Sequence, residues 1–275
     1  MNLLSPAVIK DLLSTSGTKP NKTLGQNFLI DQNVLHKIIA AANLTKESVV
    51  VEVGPGIGTL TRELSVHAKK VIAIEKDRKM VEILATTLAD CQNVEIIQGD
   101  ILEIPNSQFP IPNENYKVVA NIPYYITSPL IRLFLESEKP PQEMVLMVQK
   151  EVAQRICAKL PNMSLLAISV QYYAEPKIIS HVSKGCFWPS PKVDSAIIKI
   201  TPLESRGRPT STAFFNVVKG GFSQPRKQLL NNFSTALKKE RSEIASWLEK
   251  NGIKPNQRAE TLSLKDWENL ANTCG

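Results

Sequence analysis

Four short stretches of this sequence set ligand-type residues directly after runs of β-branched side chains. The first is Val51-Glu52-Val53-Gly54-Pro55-Gly56-Ile57-Gly58. Glycines so spaced let the backbone come close to a ligand and turn into a helix at the carboxyl edge of a sheet. A dinucleotide fingerprint wants its third glycine one place further on, where Thr59 stands. The turn therefore suits an uncharged nucleoside better than a pyrophosphate aimed at a helix dipole. The second run, Val71-Ile72-Ala73-Ile74-Glu75, ends in a carboxylate able to accept hydrogen bonds from both hydroxyls of a ribose. The third stretch, Gln98-Gly99-Asp100-Ile101, brings a carboxylate suited to the exocyclic amine of an adenine. The fourth is Val118-Val119-Ala120-Asn121-Ile122-Pro123-Tyr124. Any one carboxylate could be a strand-end cap or a solvated charge, but ligand-type signals at successive strand ends, in order, point to one site.

The first three stretches together resemble class I S-adenosylmethionine-dependent methyltransferases, which carry an acidic ribose ligand and an acidic adenine ligand in this order. Asn121-Ile122-Pro123-Tyr124 is the most specific string. It resembles the signature of methyltransferases that act on amino groups of nucleobases. Adenine N6 is a poor nucleophile because its lone pair is delocalised into the ring. The Asn121 amide oxygen and the Ile122 carbonyl could accept its two hydrogens and favour a pyramidal nitrogen. Pro123 would fix the loop so that this carbonyl points inward. Tyr124 could stack on the target base, worth roughly 1–3 kcal/mol. No general base is strictly needed, since the proton can leave after the methyl arrives. Losing one positioned acceptor should cost on the order of 10²–10³ in rate.

The elements that must position these residues follow from the pattern. Nearly continuous apolar runs at Val49–Val53, Val71–Glu75, Val94–Gln98, Lys117–Ala120, Met144–Val148, Lys177–Val182 and Ala196–Ile200 read as strands buried on both faces. Helical stretches such as Thr59–Ala68 and Arg78–Ala89 separate the early ones. This alternation implies βαβ units, hence an α/β Rossmann-like fold: a mainly parallel seven-stranded sheet with helices on both faces. Asp31 reads as the N-cap of a helix over roughly Asn33–Ala42. Thr201-Pro202 and the stretch Glu204–Pro209 read as a linker, followed by helical periodicity at Phe214–Gly220, Lys227–Leu237 and Ser242–Lys250, stopped at Gly252. The expected domains are 1–203, catalytic, and 204–275, small, all-α and basic.

Across 275 residues, 33 Lys and Arg face 26 Asp and Glu, for a net charge of +7. Residues 1–183 hold 18 of each sign, whereas 184–275 hold 15 basic and 8 acidic side chains, so the whole excess lies in the last third. Apolar residues at 43% and charged ones at 21% exclude wholesale disorder. No apolar run approaches the ~20 residues of a transmembrane helix. Met1 to Pro20 lacks the parts of a signal peptide. The four cysteines, Cys91, Cys157, Cys186 and Cys274, are scattered and read as reduced thiols in a cytoplasmic protein. His36, His67 and His181 lie far apart, and no metal is expected.

Leu24-Gly25-Gln26-Asn27-Phe28-Leu29 and Phe187-Trp188-Pro189-Ser190-Pro191-Lys192-Val193-Asp194-Ser195-Ala196, taken with the strand-end motifs, closely resemble the ribosomal RNA small-subunit adenine N6,N6-dimethyltransferase family. The resemblance runs from about Leu24 to Leu270 and includes Gly221-Phe222, Arg226-Lys227, Leu230-Asn231-Asn232 and Arg258-Ala259-Glu260. It implies that Asn27, Leu29, Gly54, Gly56, Glu75, Asp100 and Asn121 hold S-adenosylmethionine. It also implies that Asn121, Ile122, Pro123, Tyr124 and Phe187 form the catalytic pocket, with Phe187 covering the base face opposite Tyr124. The substrate would be two adjacent adenosines near the 3′ end of small-subunit rRNA, two methyls on each, within the immature subunit. A pocket that dimethylates must admit an N6-methyl group, so it cannot demand both hydrogens throughout. Lys192, Arg226 and Lys227 are expected to contact RNA, with the protein a monomer.

The sequence departs from the family pattern at Tyr125, at Met163-Ser164 and at Pro225, the last replacing an often basic residue. These changes should alter packing beside the base and RNA contacts without abolishing activity. Basic residues of the tail, among them Arg206, Arg208, Lys219, Lys238, Lys239, Arg241, Lys250 and Lys254, could simply solvate helices; a polyanionic substrate favours phosphate contact by some of them. A macrolide-resistance methyltransferase of large-subunit rRNA, a ribosome-assembly factor and, more distantly, a nicotinamide dehydrogenase are the alternatives.

Overall fold

The computed structural model describes residues 1–104, 115–203 and 211–274. A first helix, α1 (Pro6–Thr15), precedes the two-residue strand β1 (Phe28–Leu29) and α2 (Gln32–Ala42). Then come β2 (Val49–Val53), α3 (Thr59–His67), β3 (Lys70–Glu75), α4 (Arg78–Thr87), β4 (Val94–Gln98), β5 (Tyr116–Asn121), α5 (Thr127–Leu135) and β6 (Glu143–Gln149). The chain continues through α6 (Lys150–Ile156), α7 (Leu165–Gln171), β7 (Ala174–Val182), β8 (Phe187–Trp188) and β9 (Ser195–Pro202). It ends in α8 (Ser211–Gly221), α9 (Leu229–Leu237), α10 (Arg241–Lys250) and α11 (Leu264–Thr273).

Seven strands form one sheet in the order β4-β3-β2-β5-β6-β9-β7. The pairs β3–β4, β2–β3, β2–β5 and β5–β6 are parallel, and β6–β9 is antiparallel. Each expected strand lies within one of these seven. Parallel pairing sets the carboxyl ends of β2, β3, β4 and β5 on one edge, with Val53 opposite Ile74 and Glu75 opposite Gln98. The order reverses between β2 and β5, which opens a crevice at that edge, the usual place for a ligand in such sheets.

Burial explains the apolar runs. Val50, Val71, Val119, Val145, Met147 and Ile197 share one core with Val34, Leu35 and Ile38 of α2 and Leu60 and Leu64 of α3. The alternate residues Val51, Ile72, Val118, Leu146 and Ile198 are buried as well. Strands covered on both faces need no polar alternation. The edge strands differ from that expectation: β4 is only partly buried, and β7 alternates between exposed and half-buried positions along most of its length. Each has one neighbour instead of two.

Asp31 caps α2 as expected, its carboxylate accepting the Val34 N–H at 3.0 Å. The chain divides into two compact units, 1–153 with 176–202, and 154–175 with 203–275. This corrects the expected 1–203 and 204–275: the segment 154–175 belongs with the helical unit. The reason is packing. Ala167 and Ile168 of α7, together with Tyr172, share a core with Phe214, Leu229 and Trp267, and the Tyr172 ring stacks on Phe214 at 4.1 Å. The expected linker at 204–209, with Arg206 and Arg208, lies outside the described residues. In the helical unit α9 starts at Leu229, so Lys227 sits in the preceding turn and not in the helix. That turn is clamped. The Asn232 amide donates to the carbonyls of Gly221 at 2.5 Å and Gln224 at 3.1 Å. Gly221 cannot carry a side chain, because a Cβ there would lie 2.4 Å from the Trp267 ring.

Candidate functional site

The glycine turn after β2 is shaped by its neighbours. Gly56 has φ +60, a conformation costly for any other residue, and a Cβ on it would meet Phe28 at 3.3 Å. Its N–H donates to Glu75 Oε2 at 3.1 Å, while Gly54 N–H donates to the Ile74 carbonyl at 2.9 Å. Glu75 Oε1 accepts the Asp77 N–H at 2.8 Å. The carboxylate is therefore held by two backbone donors and retains further lone pairs on both oxygens. Burial pushes its pKa above the ordinary value, opposed by the N–H groups of Asp77 and Gly56.

Glu52, inside β2, was not singled out from the sequence. It is 1% exposed, and its Oε2 has no hydrogen-bond partner. Burial raises its pKa to about 8, with the Thr61 side chain opposing and the nearby Glu75 adding to the rise. A charge within an apolar strand was the visible signal; its isolation was not visible.

Asp100 follows β4. Its Oδ1 accepts the Leu102 N–H at 3.0 Å and its Oδ2 pairs with Lys76 Nζ at 2.6 Å. Partial burial raises the pKa of Asp100, but the Lys76 ammonium and the Leu102 N–H outweigh it and hold the group below the ordinary value. Lys76, next to Glu75, is a second residue that sequence reasoning passed over.

Asn121 ends β5, and its amide nitrogen donates to the Asn27 carbonyl at 3.4 Å. Asn27 in turn donates to the Gly25 carbonyl at 2.9 Å, and Gln26 Nε2 donates to Asp77 Oδ2 at 2.8 Å. The segment 24–29 is thus tied to β5 and to the turn after β3. Beyond it, Leu29 pairs with Phe187 in the antiparallel β1–β8 ribbon. Pro123 leads into a single 3₁₀ turn over Tyr124–Ile126, whose Tyr124 carbonyl accepts the Thr127 hydroxyl at 3.0 Å. The Tyr124 phenol lies 2.6 Å from the Ser195 hydroxyl. Tyr125 stands 55% exposed at the rim.

One open cleft lies at this edge of the sheet. The expected residues Asn27, Leu29, Gly54, Gly56, Glu75, Asp100, Asn121, Ile122, Pro123, Tyr124 and Phe187 all line it. Phe187, although at the cleft, is 3% exposed and packs in the core with Leu29. Lys192, Arg226 and Lys227 are exposed and do not line it. Among the described residues no group of His, Cys, Asp or Glu is arranged to hold a metal, and no helix is long and apolar enough to cross a membrane.

The family model for ribosomal RNA adenine dimethylase matches residues 17–274. The chain belongs to this family. It is 44% identical over 266 residues to the ribosomal RNA small subunit methyltransferase A of Dehalococcoides mccartyi, covering 96% of this chain and 91% of that one. The protein of the same name from Macrococcus caseolyticus is 41% identical, at 98% and 95% coverage. Among solved structures, a dimethyladenosine transferase from Plasmodium falciparum superposes with a TM-score of 0.76 at 30% identity, over 88% of this chain and 95% of that one. The 23S rRNA methyltransferase ErmE gives 0.71 at 26% identity, over 90% and 99%. The fold is that of class I methyltransferases. In this adenine dimethylase, α1 precedes the family match, yet Leu3, Ile9 and Leu13 are buried against Phe28 and against Ile57 of the glycine turn.

Proposed function

We propose that this dimethylase transfers methyl groups from S-adenosylmethionine to N6 of two adjacent adenosines in the 3′-terminal hairpin loop of small-subunit (16S) rRNA, two per base, during small-subunit maturation in the cytoplasm. The observation that carries this reading is the convergence on one cleft of Asn121-Ile122-Pro123-Tyr124 with Gly56, Glu75 and Asp100. The small-subunit assignment rests on the likeness to small subunit methyltransferases of bacteria and on the Phe187–Ala196 string.

The residues present fit the methyl donor. Glu75 retains a lone pair on each oxygen for two ribose hydroxyls, and Gly56, whose missing Cβ lets the Phe28 ring close on the turn, lines the same wall of the cleft. Asn27, Leu29 and Gly54 complete that wall, and Asp100, kept ionised by Lys76, accepts from an adenine amine. When bound, S-adenosylmethionine supplies an electrophilic methyl group.

The protein's part is to hold N6 in line and to shape its lone pair. With its nitrogen committed to Asn27, the Asn121 side chain offers Oδ1 to one N6 hydrogen. The Ile122 carbonyl accepts the other while that hydrogen is present, and falls idle once the first methyl replaces it. The released proton leaves from N6 to water after each transfer, so no side chain need act as a base. Tyr124 stacks on one face of the base and Phe187 covers the other. Lys192, Arg226 and Lys227 contact RNA phosphates; the helical unit carries 14 basic against 8 acidic residues. The enzyme works as a monomer.

The test is to incubate the protein with unmethylated small subunits and methyl-labelled S-adenosylmethionine. The wild type should label the rRNA, and Asn121→Ala or Glu75→Ala should abolish labelling. A wild-type protein that labels no adenine-containing RNA refutes the reading.

A further inference from the structure

The string Phe187–Ala196, which runs into β9, holds one feature that the cofactor and base sites do not use: a fully buried hydroxyl among apolar residues. Ser195 is 0% exposed and is followed by the buried Ala196, Ile197 and Ile198. Burying a hydroxyl without a partner is costly, so its bond identifies its purpose. That bond runs to the Tyr124 phenol, 71 residues away in sequence, at 2.6 Å.

Ser195 is itself held firmly. It pairs with Gln149 at the end of β6 in the antiparallel β6–β9 ladder. The preceding Asp194 accepts the Lys150 N–H on its carbonyl and the Lys184 N–H on its carboxylate, each at 3.0 Å. At its other end Tyr124 is anchored through its carbonyl to the Thr127 hydroxyl at 3.0 Å, within a turn closed by the Ile126 N–H on the Pro123 carbonyl. The ring is therefore fixed at both its backbone and its tip.

We infer that Ser195 is a positioning residue: its hydroxyl holds the Tyr124 phenol, so that the ring already stands at the face of the target base before RNA arrives. This rests on the reading of Tyr124 as the stacking residue. A ring fixed in advance removes an ordering cost from the reactive geometry, and small displacements there are expensive in rate. Ser195 acts through Tyr124 and touches neither the base nor the cofactor.

A double-mutant cycle on unmethylated small subunits tests this, with Ser195→Ala, Tyr124→Phe and both together. In the wild-type background Ser195→Ala should lower kcat about tenfold, the effect of stranding one buried hydrogen-bonding group, and leave the KM for S-adenosylmethionine unchanged. In the Tyr124→Phe background the same change should cost less than about twofold. An equal loss in both backgrounds, or no loss in the wild type, overturns the inference. A readout independent of activity accompanies it: ring-carbon NMR of tyrosine-labelled protein, with Tyr124 assigned among five tyrosines. Ser195→Ala should shift and broaden the Tyr124 resonance alone, and an unmoved resonance contradicts the inference even if the wild type methylates nothing.

Discussion

Glu75 and Gly56 hold one another: the N–H of Gly56 donates to Glu75 Oε2 at 3.1 Å, joining the end of β3 to the turn after β2. The carboxylate proposed to receive a ribose is thereby oriented by the glycine turn that lines the same cleft.

Glu75→Gln keeps the size of the side chain but turns one oxygen into a donor. Its NH₂ would then face either the Gly56 or the Asp77 N–H. Affinity for S-adenosylmethionine should fall by about 10- to 100-fold, as one well-placed hydrogen bond to charge is lost and another becomes repulsive. Isothermal titration calorimetry reads this directly, and unchanged affinity would remove Glu75 from the cofactor site.

Gly56→Ala meets two obstacles, φ +60 and a Cβ 3.3 Å from Phe28. Stability should drop by about 1–2 kcal/mol, seen as a lower Tm, with cofactor binding impaired beyond that.

Glu52 makes stability depend on pH. Its folded pKa of about 8 stands above the ordinary 4.5, so the folded state keeps a proton that the unfolded chain has lost. Its contribution is complete below about pH 4.5 and is lost as pH rises to about 8. Within that window the wild type should lose stability relative to Glu52→Gln at up to about 1 kcal/mol per pH unit. Chemical denaturation of both proteins at pH 5, 6.5 and 8 measures the difference, and parallel curves would show that Glu52 is ionised when folded.

Much of this was legible in the sequence, for a physical reason. Strands buried on both faces must be written as unbroken apolar runs, and a parallel sheet must bring their ends to one edge, so Gly54, Glu75, Asp100 and Asn121 belong together on sequence grounds alone. What could not be read were pairings between distant segments. Tyr172 stacks on Phe214, which takes 154–175 into the helical unit, and no local pattern announces it. The two-residue strands β1 and β8 carry too little sequence to show a period. Glu52 and Lys76 were visible as charges, but their surroundings were not.

The helical unit offers a separate check on packing. Gly221→Ala would thrust a methyl group to 2.4 Å from the buried Trp267 ring. This should destabilise that unit by about 2–3 kcal/mol and release the Asn232 clamp on the turn before Arg226 and Lys227. Calorimetric melting should show the loss.

Arg226 and Lys227 are exposed on that clamped turn. Replacing both with Ala should reduce the log–log salt slope of rRNA binding by roughly 1–2. Filter binding over a series of salt concentrations measures it, and an unchanged slope would move the phosphate contacts elsewhere.

The most direct measurement is nucleoside mapping of rRNA after incubating the wild-type protein and S-adenosylmethionine with unmethylated ribosomal subunits. N6,N6-dimethyladenosine at two adjacent positions in the 3′-terminal hairpin of small-subunit rRNA, absent with Asn121→Ala, is the result expected. Dimethyladenosine confined to large-subunit rRNA, or none in either, would contradict the account.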